Sequence, residues 1–155
     1  MNTHFLNKRL AHLLGFAGLI PFIALSLACW IVHPGWYGAI IKAQMAYGIA
    51  ILSFLGGIHW GATVICGELS VIQTKKALIW GIMPALVAWI ATVIAVVGIG
   101  FALLIAGFIA AYQIDKRLYA WYRMPEWFLR LRFSLTCVVV AALLLTFLAA
   151  NLRKW

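Results

Sequence analysis

Five apolar runs, at roughly 11–32, 43–66, 77–97, 99–114 and 133–152, follow one another along this chain with only short polar breaks. A helix needs about 20 residues to cross a hydrocarbon core of ~30 Å, and four of the runs reach that length unaided. Across the 155 residues 66% are hydrophobic and 10% charged, where soluble domains stand nearer half and a quarter. So much apolar surface has no arrangement compatible with water in a chain of this size. The expected fold is all-α, a polytopic membrane bundle of about five transmembrane helices in a single domain.

The fourth run is short. Gly98 and Gly100 leave it little room to extend backwards, so it is expected to continue forwards through Asp115, with Lys116 and Arg117 snorkelling to the interface. Pro125 followed by Glu126 reads as a helix start ahead of the last apolar run. The expected spans are therefore 11–32, 43–66, 77–97, 99–118 and 126–152. Lys8 and Arg9 before an apolar stretch resemble a signal peptide. Four further spans follow, and the residues before Cys29 fit a lipoprotein cleavage site poorly, so an uncleaved first helix is expected.

Twelve Lys and Arg stand against three acids. Their distribution is that of bases flanking membrane spans rather than a nucleic-acid surface. On one side lie Lys8, Arg9, Lys75, Lys76, Lys116, Arg117, Arg123, Arg130 and Arg132; on the other lie Lys42, Arg153 and Lys154. Nine against three places the N-terminus inside and the C-terminus outside. Tyr119, Trp121, Tyr122, Trp127 and Phe128, interleaved with these bases, read as an interfacial belt. Cys29, Cys66 and Cys137 have no metal-ligand spacing and read as small hydrophobes.

The second span carries most of the information. At 100° per residue, Ala46, Ala50, Ser53, Gly57 and Gly61 form one stripe of small residues, which permits close approach of another helix. Gly56, His59 and Thr63 form a second, polar face, and Tyr47, Ile51, Phe54 and Ile58 suit lipid. The third span offers a matching small side in Ala77, Gly81, Pro84, Ala88, Ala91 and Ala95, with Pro84 as a kink. Ser53, Gly56, Gly57, Gly61 and Pro84 are the expected helix-packing positions.

His59 stands about seven residues from the inner end of its span, roughly 10 Å deep. An ionisable side chain at that depth needs a partner. The deduced topology brings Asp115, Arg132 and Thr136 towards the same side, giving a polar cluster of His59, Asp115, Arg132 and Thr136. It reads either as a network locking three helices together, the simpler alternative, or as a functional site. No phosphate loop, HExxH, CxxC or Ser/His/Asp arrangement is present, so no catalytic residue, metal or cofactor is assigned.

Ser53, Phe54, Leu55, Gly56, Gly57, Ile58, His59, Trp60 and Gly61 in a row, then Pro84 and Trp89, then Asp115, then Trp127, Leu131, Arg132 and Thr136, resemble a domain-of-unknown-function family. That family groups bacterial inner-membrane proteins with the mitochondrial transmembrane protein sixty-nine. The resemblance implies a multi-pass protein of the bacterial inner membrane, or of the mitochondrial inner membrane in a eukaryote, and it emphasises His59 and Asp115 without naming a reaction. The expected role is a non-catalytic scaffold or assembly partner in the lipid bilayer, associating with itself or with other inner-membrane proteins and not with nucleic acid. Two alternatives stand beside it. One is a small proton-linked transporter using His59 and Asp115. The other is a quinone-binding protein, with His59 flanked by Trp60, Trp80 or Trp89.

Overall fold

The computed structural model describes residues 3–94 and 96–152, with side chains from Lys8 onward. Among them are six α-helices and no strand: α1 (Thr3–Ala17), α2 (Ile20–Ile31), α3 (Pro34–Ile65), α4 (Val71–Val93), α5 (Val97–Trp121) and α6 (Glu126–Leu152). Lys8–Ile31, across α1 and α2, forms the first of five segments long and apolar enough to cross a membrane; α3 to α6 are the others. The chain is an all-helical, multi-pass membrane protein. Ala95 and the bases Arg153 and Lys154 lie outside the described residues.

The first span, expected as one helix, is broken. Pro21 has no N–H to give the Ala17 carbonyl, and α1 ends in a tight turn in which Leu19 N–H donates to Phe16 O at 3.0 Å. Freed carbonyls in a membrane need partners from neighbouring helices. Tyr47 on α3 supplies one, its hydroxyl donating to Gly18 O at 2.9 Å. One turn earlier on α3, the buried Gln44 side-chain amide donates to Phe22 O at 3.3 Å, tying α2 to α3.

Where the sequence suggested that the second span starts at 43, α3 starts at Pro34. His33 caps it, its Nδ1 accepting from Gly35 N–H at 3.2 Å, and proline suits the first helical position. Lys42 does not end the helix; it lies on the exposed surface of α3, where a long side chain can carry its charge outward. At 32 residues, α3 runs roughly 48 Å and exceeds a hydrocarbon core of ~30 Å. Likewise α4 begins ahead of residue 77, at Val71. A capping box there pairs Gln73 N–H with Ser70 Oγ at 3.3 Å and Ser70 N–H with Gln73 Oε1 at 3.0 Å.

Helix α3 packs along α4, and the backbones meet at Gly56 and Gly81. A Cβ on Gly56 would collide with the Gly81 carbonyl, and one on Gly81 would stand 3.0 Å from the Gly56 carbonyl oxygen. This corrects the expected packing stripe. Ala46, Ala50, Gly57 and Gly61 are exposed and Ser53 is only half-buried. Nothing lies within 4 Å of a Cβ placed on Gly57 or Gly61. The face that turns inward is the polar one, Gly56, His59 and Thr63. A small apolar residue facing lipid costs little, whereas a polar group without a partner there costs several kcal/mol. The partner surface on α4 is buried at Ala77, Gly81, Ala88 and Ala91 and half-buried at Pro84.

Helix α5 fills the middle, with Phe101, Leu104 and Phe108 almost wholly buried. Two contacts relate the loops. Arg123, between α5 and α6, lies 3.4 Å from Glu68, between α3 and α4, and the Trp127 and His12 rings are 5.5 Å apart. The start of the first span and both of these loops therefore share one end of the bundle.

Candidate functional site

Two turns in from that end, three helices share one carboxylate. Asp115 on α5 is 1% exposed, His59 on α3 2% and Arg132 on α6 5%. His59 Nε2 stands 2.9 Å from Asp115 Oδ1, and Arg132 donates to Asp115 Oδ2 from Nε at 3.0 Å and from Nη2 at 2.5 Å. A carboxylate only accepts, so the His59 proton in this bond sits on Nε2. Its Nδ1 is buried with no hydrogen-bond partner. The guanidinium and the carboxylate cancel in charge, so a neutral imidazole leaves the cluster neutral overall. Such a pair recovers its desolvation cost only when its hydrogen bonds are good, and both Asp115 oxygens are bonded.

The helical register explains the meeting. His59 and Thr63 are one turn apart on the inward face of α3, and Asp115 and Tyr119 one turn apart on α5. Tyr119 and Tyr122 form the aromatic wall around His59, with ring centroids at 5.8 Å and 6.1 Å. Thr63 Oγ1 and the Tyr122 hydroxyl are hydrogen-bonded at 3.0 Å. Tyr122 follows the end of α5; burial pushes its phenol above the usual range, and the Thr63 hydrogen bond partly opposes this.

Thr136 departs from the expected cluster. It is 7% exposed, one turn beyond Arg132 on α6, but its hydroxyl has no partner and joins none of the three. The tryptophans expected beside His59 also lie elsewhere. Trp60, Trp80 and Trp89 are 45%, 41% and 61% exposed, and the Trp60 ring lies against Gly81. Tyr119 and Tyr122, read from the sequence as part of an interfacial belt, take that place; the one-turn spacing from Asp115 to Tyr119 is the signal that could have found the first of them. Among the described residues no group of three or more His, Cys, Asp and Glu is arranged to hold a metal ion.

A family model described as "Protein of unknown function (DUF3429)" matches residues 7–148. Transmembrane protein 69 of Xenopus tropicalis is 38% identical over 141 residues, covering 84% of this chain and 50% of that protein. Transmembrane protein 69 of Mus musculus is 29% identical over 147 residues, covering 88% and 54%. The chain thus spans about half the length of the curated relatives it matches. No solved structure matches it.

Proposed function

The chain belongs to the DUF3429 family, which includes transmembrane protein 69, and from that premise we propose that it is a non-catalytic scaffold or assembly partner of the inner membrane. The membrane is that of a bacterium, or its mitochondrial equivalent in a eukaryote. The observation that carries this reading is the uncovered small-residue face of α3. Ala46, Ala50, Gly57 and Gly61 are exposed on one side of α3, and among the described residues no other helix comes within 4 Å of a Cβ placed on Gly57 or Gly61. Between helices in lipid, where no hydrophobic driving force acts, small residues favour association by letting backbones approach. A transmembrane helix from a second copy or from another membrane subunit fits there.

The polar triad supports the same reading as an internal lock. His59, Asp115 and Arg132 come from three different helices, so their bonds hold α3, α5 and α6 in one arrangement and keep the outer face of α3 in place. A proton-linked carrier has less support, since both Asp115 oxygens are already engaged and any proton movement there must first break one of the bonds.

The test is native mass spectrometry of the full chain released from mild detergent, beside disulfide cross-linking of Gly57→Cys in membranes. A stoichiometric complex, homomeric or with another membrane protein, is expected, and Gly57→Leu should dissolve it while leaving the subunit folded. A monomer in both measurements would end the scaffold reading.

A further inference from the structure

On the outside of the bundle, near its basic end, a groove of about 480 Å³ runs between α5 and α6, lined by Tyr112, Glu126, Leu129, Arg130 and Phe133. The Tyr112 and Phe133 rings bridge the two helices there, with centroids 5.5 Å apart, and Phe133 stays 52% exposed. Charge stands on both sides of these rings. Arg130 is exposed on α6, and Lys116 on α5. Lys116 does not extend towards the end of the bundle. Helical side chains lean towards the N-terminus, which on α5 is the direction of the hydrocarbon, and the ammonium stands 5.4 Å from the centroid of the Tyr112 ring, one turn deeper. The ring face offsets part of the cost of a charge held there but supplies no counter-charge. Among the described residues no carboxylate pairs with Lys116, whereas Arg123 has Glu68, Arg130 has Glu126 and Arg132 has Asp115. Lys116 and Arg130 against Glu126 leave the groove with a single unmatched positive charge.

We infer that this groove holds an anionic phospholipid, its phosphate between Lys116 and Arg130 and its acyl chains running inward over Tyr112 and Phe133. Three features select that occupant. The unmatched charge is positive and lies where an unpaired charge is costly, and a phosphodiester brings the one negative charge that balances it. A zwitterionic headgroup carries its own ammonium and leaves the imbalance as it was. Both bases also stand at headgroup depth: Lys116 is five residues before the end of α5 and Arg130 four after the start of α6, roughly 6–8 Å along the helix axes. Basic pockets between transmembrane helices at that level bind anionic headgroups. Finally, the surface inward of the bases is aromatic and faces hydrocarbon, so it suits a chain tethered to the headgroup, whereas a free anion has nothing to place there. The groove belongs to α5 and α6 and not to the small-residue face of α3, so lipid binding and self-association can fail separately.

The full chain in mild detergent is titrated with dioleoyl-phosphatidylglycerol, reading lipid-bound species by native mass spectrometry. Dioleoyl-phosphatidylethanolamine and dioleoyl-phosphatidylcholine, with the same chains, are the controls. Saturable binding of phosphatidylglycerol is expected, about fivefold tighter than either control. Lys116→Gln and Arg130→Gln should each weaken it about fivefold, the equivalent of one basic residue beside a headgroup. Both side chains are exposed, so the melting temperature should hardly change. Lys75→Gln, which removes an exposed base at the same end of the bundle, should leave binding as it is. Glu126→Gln removes the carboxylate that competes for Arg130 and should tighten it. An equal loss in Lys75→Gln would reduce the effect to overall charge and overturn the site. Equal binding of the three lipids, weaker binding in Glu126→Gln, displacement by an equal concentration of inorganic phosphate, or absence of saturable binding would each overturn it too.

Discussion

Gly56 on α3 and Gly81 on α4 meet backbone to backbone, so closely that a single Cβ on Gly56 would collide with the carbonyl of Gly81. Pro84 is part of the same junction, its Cδ 3.5 Å from where that Cβ would stand. Proline leaves the carbonyl one turn before it without a helical partner, yet α4 continues through Pro84 unbroken from Val71 to Val93. Helix α3 packs closely along this side, against the turn of α4 where that helical bond is missing.

The neighbouring glycines on α3 consequently differ in their tolerance of substitution. Gly56→Ala should lower stability by about 1–3 kcal/mol, the usual cost of forcing packed elements apart. Gly57→Ala should be nearly silent in the isolated subunit, since nothing stands within 4 Å of its Cβ position. Thermal unfolding of both variants in detergent, followed by circular dichroism, checks this. Equal melting temperatures would mean that α3 and α4 do not cross at Gly56.

Why the stripe at Gly57 read as the packing face is instructive. Periodicity identifies residues that share a face, as it did for Ala46, Ala50, Ser53, Gly57 and Gly61, but not which face turns inward. That choice was made by His59 and Thr63, whose polar atoms need partners. The meeting of His59, Asp115 and Arg132 was legible because helix length, charge bias and the cost of burying ions each bear on it separately. Thr136 was grouped with them by depth alone, and depth does not say where a hydroxyl points. The break before α2 had its signal in Gly18 and Pro21, masked by the continuous apolarity around them. Tyr122 was assigned to the interfacial belt because bases surround it, and its bond to Thr63 depends on a distant helix.

Orientation follows from the basic end of the bundle. Arg132 is buried in the triad rather than lying in a loop, so eight bases remain on the side shared by the start of the first span and the α5–α6 loop, against three. On the positive-inside rule that bias predicts that this end faces the cytoplasm or matrix. Single cysteines at Met124 and Leu152, on a cysteine-free background, should label from opposite sides, Met124→Cys only from the inside. Labelling of both from the same side would remove either the five-span count or its direction.

At high pH the Tyr122 phenol should weaken the fold. Burial raises its pKa above the ordinary value of 10.0 despite the opposing Thr63 bond. The unfolded chain then loses this proton at lower pH than the folded one. Stability is unaffected by this group below the unfolded value and declines as pH rises through it towards the folded value. Tyr122→Phe should flatten that alkaline decline while losing the Thr63 bond at neutral pH. Melting temperatures from pH 8 to about 11 read both effects, and an unchanged alkaline slope in Tyr122→Phe would assign the decline to other groups.

Asp115 is the most consequential single position because two helices bond to one side chain. Asp115→Ala leaves the Arg132 guanidinium buried with no counter-charge, a change of about 3–5 kcal/mol. His59→Ala leaves Oδ1 of a buried carboxylate without its partner, about 1–3 kcal/mol, while Arg132 still balances the charge, so it should be the milder of the two. Replacing the ion pair as a unit differs from breaking it: Asp115→Leu with Arg132→Met removes both desolvation costs together, and such replacements are often neutral or stabilising. The double variant should therefore melt above either of its single variants, which places the coupling between the two residues rather than in either side chain. If the two single losses simply added in the double variant, Asp115 and Arg132 would be acting independently, and the triad would not be what holds α5 to α6.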